Sequence, residues 1–226
     1  MKGKWLLIFF IADAVIDSAF IYFQKNEWRY ISKPLLVLSL ITYSIAATKK
    51  KNKLYFLLLT SLVFSLIGDI FLLSENIFSY FISGLVSFLI AHIFYILLFL
   101  QIKKLNQPNR KLNLIISSFV IAYLILSFLL LKPFLGNLAI PVLTYTIVVL
   151  CMFLISFHAF NFREQNFGKR CIIGAGLFVL SDSLLAFNKF YQPFAGAGML
   201  VMLTYSMAQL MIVAGTTRYL NFANND

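Results

Sequence analysis

Long apolar segments separated by short polar loops recur along the whole chain of 226 residues. A transmembrane helix needs about 20 predominantly apolar residues. Hydrophobic residues make up 61% of the chain and charged residues 12%, which leaves too little polar surface to cover a soluble domain. The segments predict an all-α, polytopic membrane protein with eight transmembrane helices in a single domain over residues 1–226. They are Trp5–Phe23, Pro34–Ala47, Leu54–Leu73, Ser79–Leu100, Asn113–Leu131, Leu138–Phe157, Cys171–Asn188 and Phe194–Thr216.

The first two segments need separate interpretation. Trp5–Phe23 is too long for the apolar core of a signal peptide, contains two acids and has no small-residue cleavage site after it, so we expect it to remain as a helix. Pro34–Ala47 is short for a membrane crossing, and the distribution of basic residues is the reason to count it as one.

Basic residues are distributed unevenly between the two ends of the predicted helices. Of the 19 Lys and Arg residues, fourteen lie at the two termini and in the second, fourth and sixth loops. Since short loops rich in Lys and Arg stay in the cytoplasm, we expect a multi-pass protein of the inner or plasma membrane with both termini cytoplasmic. The net charge of +11 then reflects topology and attraction to membrane lipids. Without a basic soluble domain, we expect no nucleic-acid partner.

Two aspartates lie inside apolar segments, Asp69 in the third and Asp182 in the seventh. A carboxylate inside a bilayer costs at least a few kcal/mol, so each is predicted to be functional. The two residues are 113 positions apart, which is half the chain length. This spacing is compatible with a tandem duplication, in which the chain consists of two four-helix halves; the alternative is an undivided bundle. In either case the two aspartates are expected at similar depth, near the outer ends of their helices.

The fourth and eighth helices each carry a polar stripe. His92 and Tyr95 are three residues apart, and Tyr205 and Gln209 are four apart, so each pair shares a helix face. Two interpretations stay open for these residues, hydrogen bonds between helices or the lining of a pocket. An idealised hairpin places His92 about 14 Å deeper than Asp69, so direct contact between these two is not expected.

Other kinds of site are poorly supported by the sequence. The chain has no His-x-x-x-His or Cys-x-x-Cys spacing, no Gly-x-Ser-x-Gly motif and no Walker or dinucleotide-binding glycine pattern. We therefore expect neither a metal nor a cofactor, and the remaining chemistry is that of carboxylates. Asp13 and Asp17 share a face of the first helix. Two interpretations stay open for Asp17, an ion pair with Lys25 or Lys33 and a catalytic role.

Four strings in order along the chain resemble the lysoplasmalogenase (YhhN) family of membrane hydrolases. They are GDIFLL, GLVSFLIAHIFY, GAGLFVLSDSLLAFNKF and TYSMAQLMIVAG, and Lys33-Pro34 fits the family pattern as well. The resemblance implies hydrolysis of the vinyl-ether bond of lysoplasmalogens to a fatty aldehyde and glycerophosphoethanolamine or glycerophosphocholine. It also implies that Asp69 and Asp182 are the catalytic pair. The candidate substrate-binding residues are Lys33, His92, Tyr95, Asn188, Tyr205 and Gln209.

The chemistry of vinyl ethers agrees with a pair of acids. Hydrolysis begins with protonation of the distal alkene carbon, which creates an oxocarbenium ion that water captures. This step needs one protonated acid and one ionised base, and two carboxyl groups in a shared low-dielectric cavity can supply both forms.

Two other functional classes also use buried aspartates. An intramembrane aspartyl protease is one, but its Gly-x-Gly-Asp signature is not met because position 66 is Leu. A proton-coupled transporter of small molecules or lipids is the other, and duplicated halves would fit it, although no helix pair broken by Gly or Pro is evident.

Overall fold

The computed structural model describes residues 3–106, 113–160 and 166–223, and the regular elements in these ranges are all helical. This confirms the all-α class. Three short turns connect some of the helices: the 3-10 turns Asn26–Trp28 and Gly136–Leu138, and the π-helical turn Phe187–Tyr191. The α-helices are α1 (Lys4–Tyr22), α2 (Arg29–Ala47), α3 (Lys53–Leu72), α4 (Phe78–Asn106), α5 (Leu114–Leu135), α6 (Ala139–Ala159), α7 (Asn166–Ala186) and α8 (Ala197–Phe222).

By length and hydropathy, seven helical segments of the described ranges could cross a membrane. The predicted number of eight is therefore not confirmed. The difference arises at Leu114–Ala159, a continuous apolar segment of 46 residues that contains both α5 and α6. The turn between these two helices, Gly136–Leu138, has only three residues, so the average hydropathy of the segment stays high across it.

Several helices continue beyond the predicted apolar segments. α4 extends to Asn106, α7 begins at Asn166 and α8 extends to Phe222. All three extensions lie at the end of the bundle where the basic loops were expected. Hydropathy marks only the part of a helix that suits lipid, whereas the backbone hydrogen bonds continue through polar residues beyond it.

The second helix begins earlier than predicted. α2 starts at Arg29 and includes Pro34, which the sequence interpretation had placed at the start of the segment. Together with the preceding turn it forms a 22-residue segment, Asn26–Ala47, that is long enough to cross a membrane. Proline near a helix start removes only one backbone hydrogen bond, and neighbouring helices make this tolerable in a membrane bundle.

The helices pack most closely as sequential hairpins, α3 with α4 and α7 with α8. Glycines permit these close approaches. A Cβ atom on Gly68 would lie 2.6 Å from the Phe88 ring, and one on Gly174 would lie 2.8 Å from the Ala208 carbonyl oxygen. Small residues at helix contacts are the usual means of packing in membranes, where lipid supplies no hydrophobic drive between helices.

α5 is the least buried of the eight helices. Only Val120, Leu131 and Leu135 of its residues are buried, and it packs against α6 and the turn Phe187–Tyr191. The space between α5 and the rest of the bundle is the cavity described below.

Candidate active site

Asp182 lies at the centre of a three-residue polar cluster near the end of α7. The Tyr145 hydroxyl on α6 donates a hydrogen bond of 3.0 Å to Asp182 Oδ2, and His92 Nε2 on α4 lies 3.3 Å from the same oxygen. His92 Nε2 is also 3.2 Å from the Tyr145 hydroxyl. Three helices therefore fix one carboxylate oxygen, and the hydrogen bonds from the described residues leave Oδ1 of Asp182 for another partner.

Asp182 lines a cavity of about 320 Å³ enclosed by α4, α5, α6, α7 and the turn Phe187–Tyr191. The aspartate side chain is 18% exposed, whereas that of His92 behind it is fully buried. Phenylalanine, leucine and valine side chains form most of the wall. Its polar members are Tyr123, Ser127, Tyr145, Thr146, Asp182, Ser183 and Lys189. An apolar cavity with a few convergent polar groups is the usual form of a small-molecule site.

Asp69 lies in a separate, fully enclosed network. Its Oδ2 accepts a 2.6 Å hydrogen bond from the Tyr205 hydroxyl, and its Oδ1 is 3.6 Å from Lys33 Nζ. The Asp69 side chain is 1% exposed. Gln209 donates to the Tyr205 hydroxyl at 3.3 Å, and Tyr95 donates to Gln209 Oε1 at 2.7 Å. Five residues that were candidates from the sequence thus form one continuous network, and a buried carboxylate that keeps a cation and a donor escapes the cost of an unpaired charge.

One aromatic ring contacts a hydrogen-bond partner of each aspartate. The Phe178 ring lies 4.9 Å from the His92 ring and 5.6 Å from the Tyr205 ring, measured between centroids. Asp69 is not among the residues that line the cavity of Asp182. The candidate residues therefore form two hydrogen-bonded groups, His92 with Asp182 and the network of Asp69, and Phe178 contacts both.

The predicted depths of these residues need one amendment. His92 was compared with Asp69 alone, and its contact with Asp182 was not anticipated. The depth expected for His92 comes from straight helices in one hairpin. In the structure α6 packs against both α4 and α7, which brings His92 to Asp182. A polar residue about two and a half turns deeper than an acid in its own hairpin can still reach an acid on another helix.

Asn188 and Lys189 are adjacent, but only one of them lines the cavity. Asn188 Oδ1 accepts a hydrogen bond from the Phe194 backbone amide at 3.2 Å, so it shapes the connection between α7 and α8. Lys189 lines the cavity. The sequence does not single out Tyr145 or Lys189 as site residues. Tyr145 is a single tyrosine in an apolar helix, and Lys189 has the appearance of an ordinary charge in a loop.

The first helix contributes an acid to a further polar contact. Asp17 Oδ1 accepts a 2.5 Å hydrogen bond from Ser32 and lies 3.5 Å from Arg29 Nε. The cation beside Asp17 is thus Arg29, whereas Lys33, one of the two partners considered from the sequence, pairs with Asp69. This geometry favours structural pairing of Asp17.

Comparison with known proteins places the chain in a family. The sequence model of the YhhN family matches residues 28–216. Lysoplasmalogenase TMEM86B of Homo sapiens is 32% identical over 216 residues, which cover 95% of this chain and 87% of that protein. The Sus scrofa protein of the same name is 29% identical over 211 residues, covering 93% of this chain and 85% of that protein. No solved structure matches the chain. Because the family match extends over most of its length, the chain belongs to the YhhN family.

Proposed function

We propose that this protein is a lysoplasmalogenase, which hydrolyses the vinyl-ether bond of lysoplasmalogens to a fatty aldehyde and glycerophosphoethanolamine or glycerophosphocholine. The observation that carries the proposal is the Asp182 carboxylate in the wall of an apolar cavity, held by Tyr145 and His92. The names of the relatives support the same activity.

The cavity suits a lipid with a single chain. Its wall comes from four helices and is mostly hydrocarbon, so it can accept an alkenyl chain without burying unpaired polar groups. α5 packs against α6 and the turn Phe187–Tyr191, and much of its remaining surface is exposed towards the membrane. In this proposal a lysolipid enters the cavity from the bilayer beside α5.

The reaction would begin at Asp182. In its protonated form, the carboxyl group donates its proton to the distal alkene carbon, the double-bond electrons form the new C–H bond, and the ether oxygen shares the positive charge. The resulting carboxylate lies beside the oxocarbenium ion and stabilises it. Water then attacks the cationic carbon and returns one proton to Asp182. The hemiacetal collapses to the aldehyde and the glycerol hydroxyl, so the net reaction consumes one water.

Tyr145 and His92 would position Asp182 for this step. Both approach Oδ2, which leaves Oδ1 to face the substrate. Donors fixed in advance cost no reorganisation when charge develops, which is how a preorganised site lowers a barrier. His92 Nε2, at 3.3 Å, is also a second group that could exchange a proton with this carboxylate.

The pairing of Asp69 with Asp182 as two reacting acids stays a prediction from the sequence. Lys33 and Tyr205 occupy both oxygens of Asp69, and Phe178 packs against both His92 and Tyr205. These contacts favour a positioning role, in which the Asp69 network holds α2, α3 and α8 behind the wall formed by His92 and Phe178.

We also propose that α5 and α6 cross the membrane separately, giving eight transmembrane helices in one domain with both termini cytoplasmic. Gly136 supports this arrangement, because it ends α5 with a φ of 49° and a ψ of −125°, a conformation that stops a helix. The mainly basic even-numbered loops fit the cytoplasmic side of an inner or plasma membrane.

The activity is tested with purified protein in detergent and three lysolipids that share a headgroup. These carry a vinyl-ether, an alkyl-ether or an ester chain. We expect aldehyde only from the vinyl ether, because the alkyl ether has no alkene to protonate and the ester needs an oxyanion hole. Cleavage of the ester would instead identify a lysophospholipase, and cleavage of none would favour a transporter.

A further inference from the structure

Lys189 provides a positive charge in the part of the cavity wall formed by the turn Phe187–Tyr191. Among the described residues that line this cavity, it is the only Lys or Arg. Its side chain is exposed, and its Nζ lies 5.0 Å from the centre of the buried Phe81 ring, which also lines the cavity. The cation is therefore held against the cavity wall by a cation–π contact.

This ammonium group has no anionic partner within the described part of the chain. Nζ donates a hydrogen bond to the Glu75 backbone carbonyl at 3.2 Å, and no ion pair within 4.0 Å joins it to a carboxylate. An ammonium has three donors, and a single carbonyl accepts from only one of them. Lys189 can thus receive an anion without losing a salt bridge.

The spacing between Lys189 and Asp182 matches the distance between two parts of a lysolipid. The two residues are seven positions apart along α7 and the turn that follows it, roughly 10 Å at the helical rise. In an extended lysoplasmalogen, seven bonds join the phosphorus to the distal alkene carbon, roughly 9 Å, and an ammonium–phosphate hydrogen bond adds about 3 Å, so the molecule can span this separation. A phosphate at Lys189 would therefore place the alkene beside Asp182.

We infer that Lys189 binds the phosphate of the lysolipid substrate and so determines both its selection and the register of its vinyl ether at Asp182. This inference rests on the proposed function. Lys189 would recognise the phosphodiester anion, which choline and ethanolamine lysolipids share. It would not contact the choline or ethanolamine group itself.

The test compares Lys189→Met with Lys132→Met. Lys132 is an exposed lysine near the same end of the bundle, but it is not one of the cavity-lining residues. The substrates are a 1-alkenyl lysophosphocholine and a neutral 1-alkenylglycerol. The quantity compared is kcat/KM for the lysophosphocholine divided by kcat/KM for the alkenylglycerol. For Lys189→Met we expect this ratio to fall about tenfold, mainly because KM for the lysophosphocholine rises. Lys189→Arg should restore most of the ratio, and Lys132→Met should leave it within twofold.

A binding measurement keeps this inference separable from the activity itself. A non-cleavable alkyl-ether lysophosphocholine and the matching alkylglycerol are titrated into each variant in detergent. Lys189→Met should weaken the phosphate-bearing ligand about tenfold and the alkylglycerol much less. Equal weakening of both ligands, or an effect no larger than that of Lys132→Met, would overturn the inference. If wild type cleaved no vinyl ether, the proposed function would fail, and these affinities would still decide the role of Lys189.

Discussion

His92 Nε2 on α4 lies 3.3 Å from Asp182 Oδ2 on α7, so an acid of the second half of the chain meets a side chain of the first half. The other aspartate has the reverse arrangement, because Asp69 on α3 accepts a hydrogen bond from Tyr205 on α8. Asp69 and Asp182 are 113 residues apart, and so are His92 and Tyr205. Two tandem halves with equivalent aspartates would produce this crosswise pairing, and the duplication stays a prediction from the sequence.

Replacing Tyr145 by Phe should lower activity without disturbing the fold. The change removes only the hydroxyl that donates to Asp182, and a hydrogen bond to a charged group contributes about 1.5–3 kcal/mol. We expect kcat/KM for a lysoplasmalogen to fall on the order of tenfold or more. Tyr123→Phe is the matched control, because Tyr123 also lines the cavity but its hydroxyl contacts Ser183. Equal losses in the two variants would remove the special role of Tyr145.

Asp69→Asn should destabilise the protein, because it leaves Lys33 buried without its carboxylate. Breaking a buried ion pair from one side costs about 3–5 kcal/mol. We expect a clear fall in the thermal unfolding midpoint measured in detergent. Sequence reasoning alone gave no reason for such a loss, since the partner of Asp69 was unknown.

The double variant Asp69→Asn with Lys33→Met separates stability from chemistry. Removing the lysine charge should recover much of the lost stability, since replacing a buried pair by neutral groups is far less costly than leaving one charge unpaired. If Asp69 has a positioning role, activity should recover with stability. A stable double variant with activity below a few per cent of wild type would place Asp69 among the reacting groups.

Filling the cavity should block the substrate chain. Thr146 lines the cavity, and its neighbour Ile147 on α6 is 41% exposed and does not line it. We expect Thr146→Phe to reduce turnover of a long-chain lysoplasmalogen at least tenfold, and Ile147→Phe to have little effect. Both variants add an aromatic ring at adjacent positions of the same helix. Steady-state kinetics with short and long alkenyl chains would test this, and similar values for the two variants would contradict the assigned cavity.

The all-helical membrane class was predictable because it depends on composition and segment length, which the sequence states directly. The start of α2 was not, since Pro34 looks like a boundary in sequence and lies inside a helix in the structure. Asp69 and Asp182 were recognisable because a carboxylate among apolar residues is costly wherever it lies. Their partners Tyr145 and Lys33 depend on contacts between distant helices. Helical periodicity determines which residues share a face, but it does not determine which faces meet.

The proposed mechanism depends on protonation of the vinyl ether of a lysoplasmalogen by Asp182. The most direct measurement is aldehyde release from a 1-alkenyl lysophospholipid by purified wild type and by Asp182→Asn, together with the thermal unfolding midpoint of each. Asparagine keeps the shape of the side chain and can accept the Tyr145 hydrogen bond, but it cannot donate and recover the proton. We predict aldehyde from wild type, a loss of at least about 100-fold in the variant and similar unfolding midpoints. A folded Asp182→Asn protein that retained more than a few per cent of wild-type activity would contradict the claim.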